Sequence, residues 1–334
     1  MSFVKIYDRK KLLSLTSIRE GETKAGEKME VLSGNDISFI AKSSARFVLL
    51  GIPEDIGIRA NLGLSGASKM WEKAIQKICN VQHNEFFDAS SVLVLGEIDL
   101  VDLMEQSNNA STEKLRDLTA EIDNRVAPII EAIIKSGKEA IVIGGGHNNS
   151  FPLLKGASKG LGRPMNCINI DPHADLRDWN DGRHSGNGFS FALKEKYLEN
   201  YIVLGMHENY NSQFILDQFK LNDKLKYYSF ENWLKGEIIW EECFEEIFEA
   251  TGGKAFGFEF DLDSIIGFPS SAATPSGFTE NDARIMVNHV ALNFKTKYFH
   301  LAEGSPDSIP GKADLSAKMI AYLVTDYVKA RTAH

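Results

Sequence analysis

The chain has 334 residues, with 37 Lys plus Arg against 46 Asp plus Glu, so its formal charge is −9. Hydrophobic residues make up 43% and charged residues 25%, the balance of a folded globular protein, which excludes a disordered or fibrous chain. The acidic surplus, with no segment of clustered Lys and Arg, argues against a nucleic-acid surface, and no apolar run approaches the roughly 20 residues of a membrane span.

The opening MSFVKIYDRKKLLSL has no apolar core followed by a small-residue cleavage site, so a signal peptide is not expected. Residues 1–44 are more polar than the rest and read as a lead-in that either packs on the main domain or serves an oligomer. From residue 45 to residue 334 a single α/β domain is expected, with no repeat and no Pro/Ser-rich linker. Short apolar runs at 47–51, 92–95, 140–143, 167–170, 201–205, 256–260 and 298–301 read as strands buried on both faces of a largely parallel sheet.

Helix-period stretches lie between them. Trp71, Ala74, Ile75 and Ile78 mark one helix. The clearest spans 111–136, with Leu115, Leu118, Ile122, Val126, Ile129, Ile130 and Ile133 at helical spacing and a kink expected at Pro128. Leu315, Met319, Leu323 and Tyr327 mark a closing helix. All these stripes read as core. Cys79, Cys167 and Cys243 are far apart and match no CxxC pattern, which fits a reducing cytoplasm better than a disulfide framework.

Three polar clusters fall at the carboxyl ends of expected strands, the edge where open α/β sheets bind ligands. In Gly144-Gly145-Gly146-His147 the glycines end a strand and present a histidine. In Asp171-Pro172-His173-Ala174-Asp175 an extended backbone would project both aspartates and the histidine to one side. In Glu259-Phe260-Asp261-Leu262-Asp263 an apolar strand ends in two carboxylates on one face. Taken singly, each has an ordinary explanation as a turn or a helix cap.

Together the clusters supply four aspartates and two histidines with no thiolate. Carboxylates packed against apolar strands repel one another and lose hydration, and a bound cation resolves both costs. Hard oxygen with imidazole favours Mn²⁺, with other divalent transition metals admissible. Four carboxylates exceed what one ion needs and suggest a pair of ions, between which a water would be acidified enough to act as a nucleophile.

The three motifs, in this order and spacing, resemble those of the ureohydrolases, the family of arginase, agmatinase and formimidoylglutamase. The resemblance runs from about residue 45 onward and takes in Leu50-Gly51-Ile52-Pro53 and Leu95-Gly96-Glu97-Ile98. It implies a three-layer α/β/α fold, a two-manganese centre and a symmetric homo-oligomer. By motif position, His147, Asp171, Asp175 and Asp261 would hold one ion, and Asp171, His173, Asp261 and Asp263 the other. Asp175 would also shuttle a proton.

Other segments bear on substrate. Glu303, in His300-Leu301-Ala302-Glu303-Gly304-Ser305-Pro306, resembles the family glutamate that pairs with a planar amidinium or guanidinium. Phe189, two residues beyond Asn187, and Arg177 after Asp175-Leu176 resemble formimidoylglutamase better than arginase. Formimidoylglutamate carries two carboxylates, so Arg177, Arg183, His184 and Asn187 are expected as substrate contacts, with His207 a weaker candidate. Gly146 replaces an aspartate common in the family. The expected activity is hydrolysis of a linear amidine, most specifically N-formimidoyl-L-glutamate. The alternatives are an arginase-like guanidino hydrolase, a deacetylase of related architecture, and a non-catalytic metal-binding relative.

Overall fold

The computed structural model describes residues 3–333; the outermost positions of the expected lead-in and domain, 1, 2 and 334, lie outside it. Among the described residues, nine strands form one sheet: β1 (Val4–Ile6), β2 (Phe47–Gly51), β3 (Val92–Ile98), β4 (Glu139–Ile143), β5 (Met165–Ile170), β6 (Leu198–Met206), β7 (Leu225–Ser229), β8 (Ala255–Asp261) and β9 (Lys295–Ala302). Their order is β1-β3-β2-β4-β9-β8-β5-β6-β7, parallel throughout except for β1, which runs antiparallel to β3.

The strand period of two sends alternate side chains into two separate cores. Phe47 and Leu49 of β2 and Phe256, Phe258 and Phe260 of β8 enter one core, which the helices Met70–Cys79, Glu280–Asn293 and Ala313–Thr332 cover. Val48 and Leu50 enter the other, covered by the helices Thr112–Lys135 and Ser150–Leu161. The result is three layers, α/β/α.

The seven expected strands are all present. Two further strands lie at the sheet edges. β1 places part of residues 1–44 on the sheet edge, and β7 closes the opposite edge. The helix Thr112–Lys135 continues through Pro128, and Leu315 is exposed on the closing helix whereas Met319, Leu323 and Tyr327 are buried. Chain order matters for the site. β8 and β9 return to lie between β4 and β5, so the four strands that carry the polar motifs are neighbours at the centre of the sheet.

Candidate metal centre and its cleft

The glycine run after β4 turns sharply. Gly144 and Gly145 have φ of +91° and +76°, and a side chain at Gly145 would strike Asn149 and Glu54. Gly146 has no room for a carboxylate, because a Cβ there would lie 2.5 Å from Asn148 Oδ1 and 2.7 Å from Ile58 Cγ1. Buried Glu54 fixes this turn by accepting hydrogen bonds from the Gly146 N–H (2.9 Å) and the Asn149 amide (2.7 Å). The turn delivers the His147 ring to the ends of β5 and β8.

Around that ring the aspartates converge. His147 Nδ1 lies 3.0 Å from Asp171 Oδ2, 3.1 Å from Asp175 Oδ2 and 3.3 Å from Asp261 Oδ2. A second group joins His173, Asp261 and Asp263, whose candidate ligand atoms lie within 4.8 Å of one another, so Asp261 is common to both groups. Asp171 Oδ1 is 3.5 Å from His173 Nδ1. The extended backbone expected over 171–175 is absent. β5 ends at Ile170, and Asp175 turns back with φ +49°, a left-handed conformation that costs a non-glycine residue of order 1–3 kcal/mol. The convergence is made by a turn and not by strand alternation.

Electrostatics make the cluster cation-seeking. Burial and the charges of Asp263 and Asp171 push Asp261 well above the carboxylate range, and burial raises Asp175 and Asp263 as well. For Asp171 burial is outweighed by His147 and His173, which draw it down to about 2. Burial also opposes the charge on His173, but Asp171 overcomes it and lifts the imidazole to about 10. Both ring nitrogens of His147 are buried without a hydrogen bond. Orphaned imidazole nitrogens facing crowded carboxylates are the donor set of a divalent transition metal, and the residues present fit one.

His173, Asp175, Asp261 and Asp263 of the cluster line a cleft of about 180 Å³. Glu303, at the end of β9, also lines it. Its backbone is left-handed (φ +66°), its Oε1 accepts the His147 N–H at 2.6 Å, and its Oε2 accepts the Ser271 hydroxyl. Burial and the nearby charge of Asp263 push its carboxyl up to about 8. Asn61, Arg177, Ser185 and Tyr210 line the same cleft. The Arg177 side chain is exposed and has no hydrogen-bond partner among the described residues. Gly186 leaves it space, since a Cβ there would lie 3.0 Å from both Arg177 Cδ and Asn61 Nδ2.

Three expected substrate contacts are placed elsewhere. Arg183 is buried, with Nε 2.7 Å from Asp123 Oδ2 and its other nitrogens on the Asn148 carbonyl and Asn187 Oδ1. The Asn187 amide donates to the Gly182 carbonyl, and His184 Nδ1 accepts the Gly186 N–H. Burial and neighbouring arginines lower His184 to about 3, so it stays neutral. Their polar atoms hold the loop's own shape, and none of the three lines the cleft. His207 is buried and stacks on Tyr210 and Phe230.

A family profile described as "Arginase family" matches residues 45–326. The chain belongs to the arginase family. Among curated arginase-family proteins, a formimidoylglutamase from Streptococcus pyogenes is 27% identical over 318 residues, covering 90% of each chain. Among solved structures, formimidoylglutamase from Bacillus subtilis superposes with a TM-score of 0.77 at 17% identity, covering 94% of this chain and 93% of that one. A formiminoglutamase of Trypanosoma cruzi, solved with Mn²⁺₂, gives 0.72 at 20% identity, covering 94% and 99%.

Sequence reasoning missed several residues that the arginase-family fold brings to this centre. Ser271 comes from a loop and Tyr210 from the short 3-10 turn Glu208–Tyr210, neither with a distinguishing pattern. Glu259 and His300 did leave a signal, because a charged or polar side chain inside a strand buried on both faces needs a partner.

Proposed function

We propose that this arginase-family chain hydrolyses N-formimidoyl-L-glutamate to L-glutamate and formamide at a centre of two manganese ions. The observation that carries the reading is a single cleft lined by a buried carboxylate, Glu303, by aspartates and a histidine of the cluster, and by an exposed guanidinium, Arg177, unpartnered among the described residues. An amidinium at one end and carboxylates at the other is the complementary ligand.

In this reading His147, Asp171, Asp175 and Asp261 hold one ion, and Asp171, His173, Asp261 and Asp263 the other. When bound, the metal pair supplies a water acidified enough to attack at neutral pH. Glu303 pairs with the planar amidinium through two parallel hydrogen bonds and sets the angle of its carbon toward the cluster. The His147 N–H holds Glu303 Oε1 in that orientation. Arg177, with Asn61 and Ser185 beside it, anchors the glutamate carboxylates. Asp175 takes the proton released by the nucleophile and returns it to the glutamate nitrogen as the C–N bond breaks. Formamide and glutamate leave.

The names of the relatives support the same substrate, and the tight pairing of Arg183, His184 and Asn187 leaves Arg177 to bear its charge. We extend the reading to a homo-oligomer in the cytoplasm. No helix among the described residues is long and apolar enough to cross a membrane. The test is turnover by manganese-loaded protein of formimidoylglutamate, arginine, agmatine and guanidinobutyrate side by side. Formamide from the first substrate alone is expected. Urea from arginine without formamide from formimidoylglutamate would overturn the choice of substrate.

A further inference from the structure

Three buried strand residues that no step above uses form a network that reaches His147. Glu259 of β8 and His300 of β9 are register partners, and Gly257 stands opposite Tyr298. Gly257 has to lack a side chain, because a Cβ there would sit 2.4 Å from Tyr298 Oη. The space it leaves lets the tyrosine reach along the sheet and donate to Glu259 Oε1 at 2.8 Å. Glu259 Oε2 lies 2.6 Å from His300 Nδ1, and His300 Nε2 faces the Gly144 carbonyl at 3.2 Å, so the network is tied to the turn that presents His147.

The same oxygen, Glu259 Oε2, is 3.4 Å from His147 Nε2, on the opposite side of the ring from Asp171, Asp175 and Asp261. Glu259, His300, Tyr298 and His147 are all inaccessible to solvent. A buried carboxylate with an imidazole is a costly way to join two strands that apolar side chains would join as well. The cost is explained if the carboxylate acts on the histidine.

A neutral imidazole carries one N–H, and which nitrogen is left to bind a metal depends on the hydrogen bond made by the other. With three carboxylates around Nδ1, the proton would settle there and block it. We propose that Glu259, braced by Tyr298 and His300, is the positioning residue of the metal centre: it claims the Nε2–H of His147 and leaves Nδ1 free as the ligand atom. This rests on the metal-binding part of the reading above and not on its choice of substrate. The cluster of His147, Glu259 and His300 is thereby a support for a metal ligand and not a third ion site: Glu259 Oε1 accepts the Tyr298 hydroxyl, and Oε2 lies between the His147 and His300 rings.

The test is manganese stoichiometry and affinity in the full chain carrying Glu259→Leu, by metal analysis after dialysis and by the electron paramagnetic resonance signal of the coupled pair. Expected are one tightly held ion where the parent holds two, loss of the coupled signal, and affinity for the weakened ion reduced by about 10–100-fold. Activity should return toward the parental kcat at high Mn²⁺. Tyr298→Phe and His300→Gln should weaken the same ion by smaller factors, and they carry the test if Glu259→Leu does not fold. Two tight ions in these variants overturn the inference even if the parent hydrolyses amidines. A parent that binds two ions but turns over no amidine overturns the substrate and leaves this role for Glu259 standing.

Discussion

The strand ends at the centre of the sheet and the loop 176–187 beside them contain similar polar residues put to opposite uses. At the strand ends His147, Asp171, Asp261 and Asp263 are buried with more like charge than the protein itself neutralises. In the loop, Arg183 is buried just as deeply but meets Asp123, Asn187 and the Asn148 carbonyl, which satisfy it. Arg177 in that loop, by contrast, is exposed and lines the cleft with its guanidinium unpartnered among the described residues. Arg183 is satisfied within the fold and holds the loop, whereas the crowded carboxylates and the orphaned His147 nitrogens call for a partner the chain itself does not supply.

Substitutions can break this contrast from either side. Asp261→Asn removes the carboxylate common to both ligand groups, and activity should fall by more than about 100-fold, beyond the usual cost of losing an outer partner of a metal ligand. Metal content should fall with it. Asp175→Asn and Asp263→Asn should behave alike, and two retained tight ions in both would undo the ligand assignment.

Asp123→Ala leaves the Arg183 guanidinium buried and uncompensated, which should cost about 3–5 kcal/mol of stability in urea unfolding, with metal stoichiometry unchanged in the folded protein. A loss of substrate affinity without a loss of stability would return Arg183 to the cleft. Arg177→Met should do the reverse. It should raise KM by about 10–100-fold, the worth of a charged hydrogen bond of roughly 1.5–3 kcal/mol, with little change in kcat, stability or metal content.

The smallest expected effect is on pH dependence. In the metal-free chain His173 is lifted to about 10 and His147 is raised as well, so near neutral pH both hold protons that an incoming ion must displace. Mn²⁺ affinity should therefore strengthen as pH rises from 6 toward 9 and weaken as it falls, with protons released on binding. Calorimetry in buffers of different ionisation heat measures that release. Binding at pH 7 with none would contradict the electrostatic account of the cluster.

What was legible in the sequence follows the range of the interactions involved. The inner strands were legible because burial on both faces writes an apolar run into local sequence, as in Val92–Ile98 and Ala255–Asp261. The edge strands were not: β1 has three half-buried residues, and β7 (Leu225–Ser229) carries Lys226 and an exposed Tyr227 between its buried ends, so neither writes an apolar run. The residues that meet around His147 were legible as short spacings, although the turn at Asp175, with its positive φ, replaced the extended backbone expected of them. The partner of Arg183 was not, because Asp123 lies sixty positions earlier on a helix and only folding brings the two together. The meeting of Glu259 with His300 depends in the same way on the β8–β9 register, which no local pattern encodes.

Titrating Mn²⁺ into metal-free protein in the presence of N-formimidoyl-L-glutamate, and following formamide release, tests whether two ions make the active centre. No release is expected from the metal-free chain, and the rate should rise until two ions are bound per chain. Formamide release from fully chelated protein, or two bound ions with no release, would contradict that expectation.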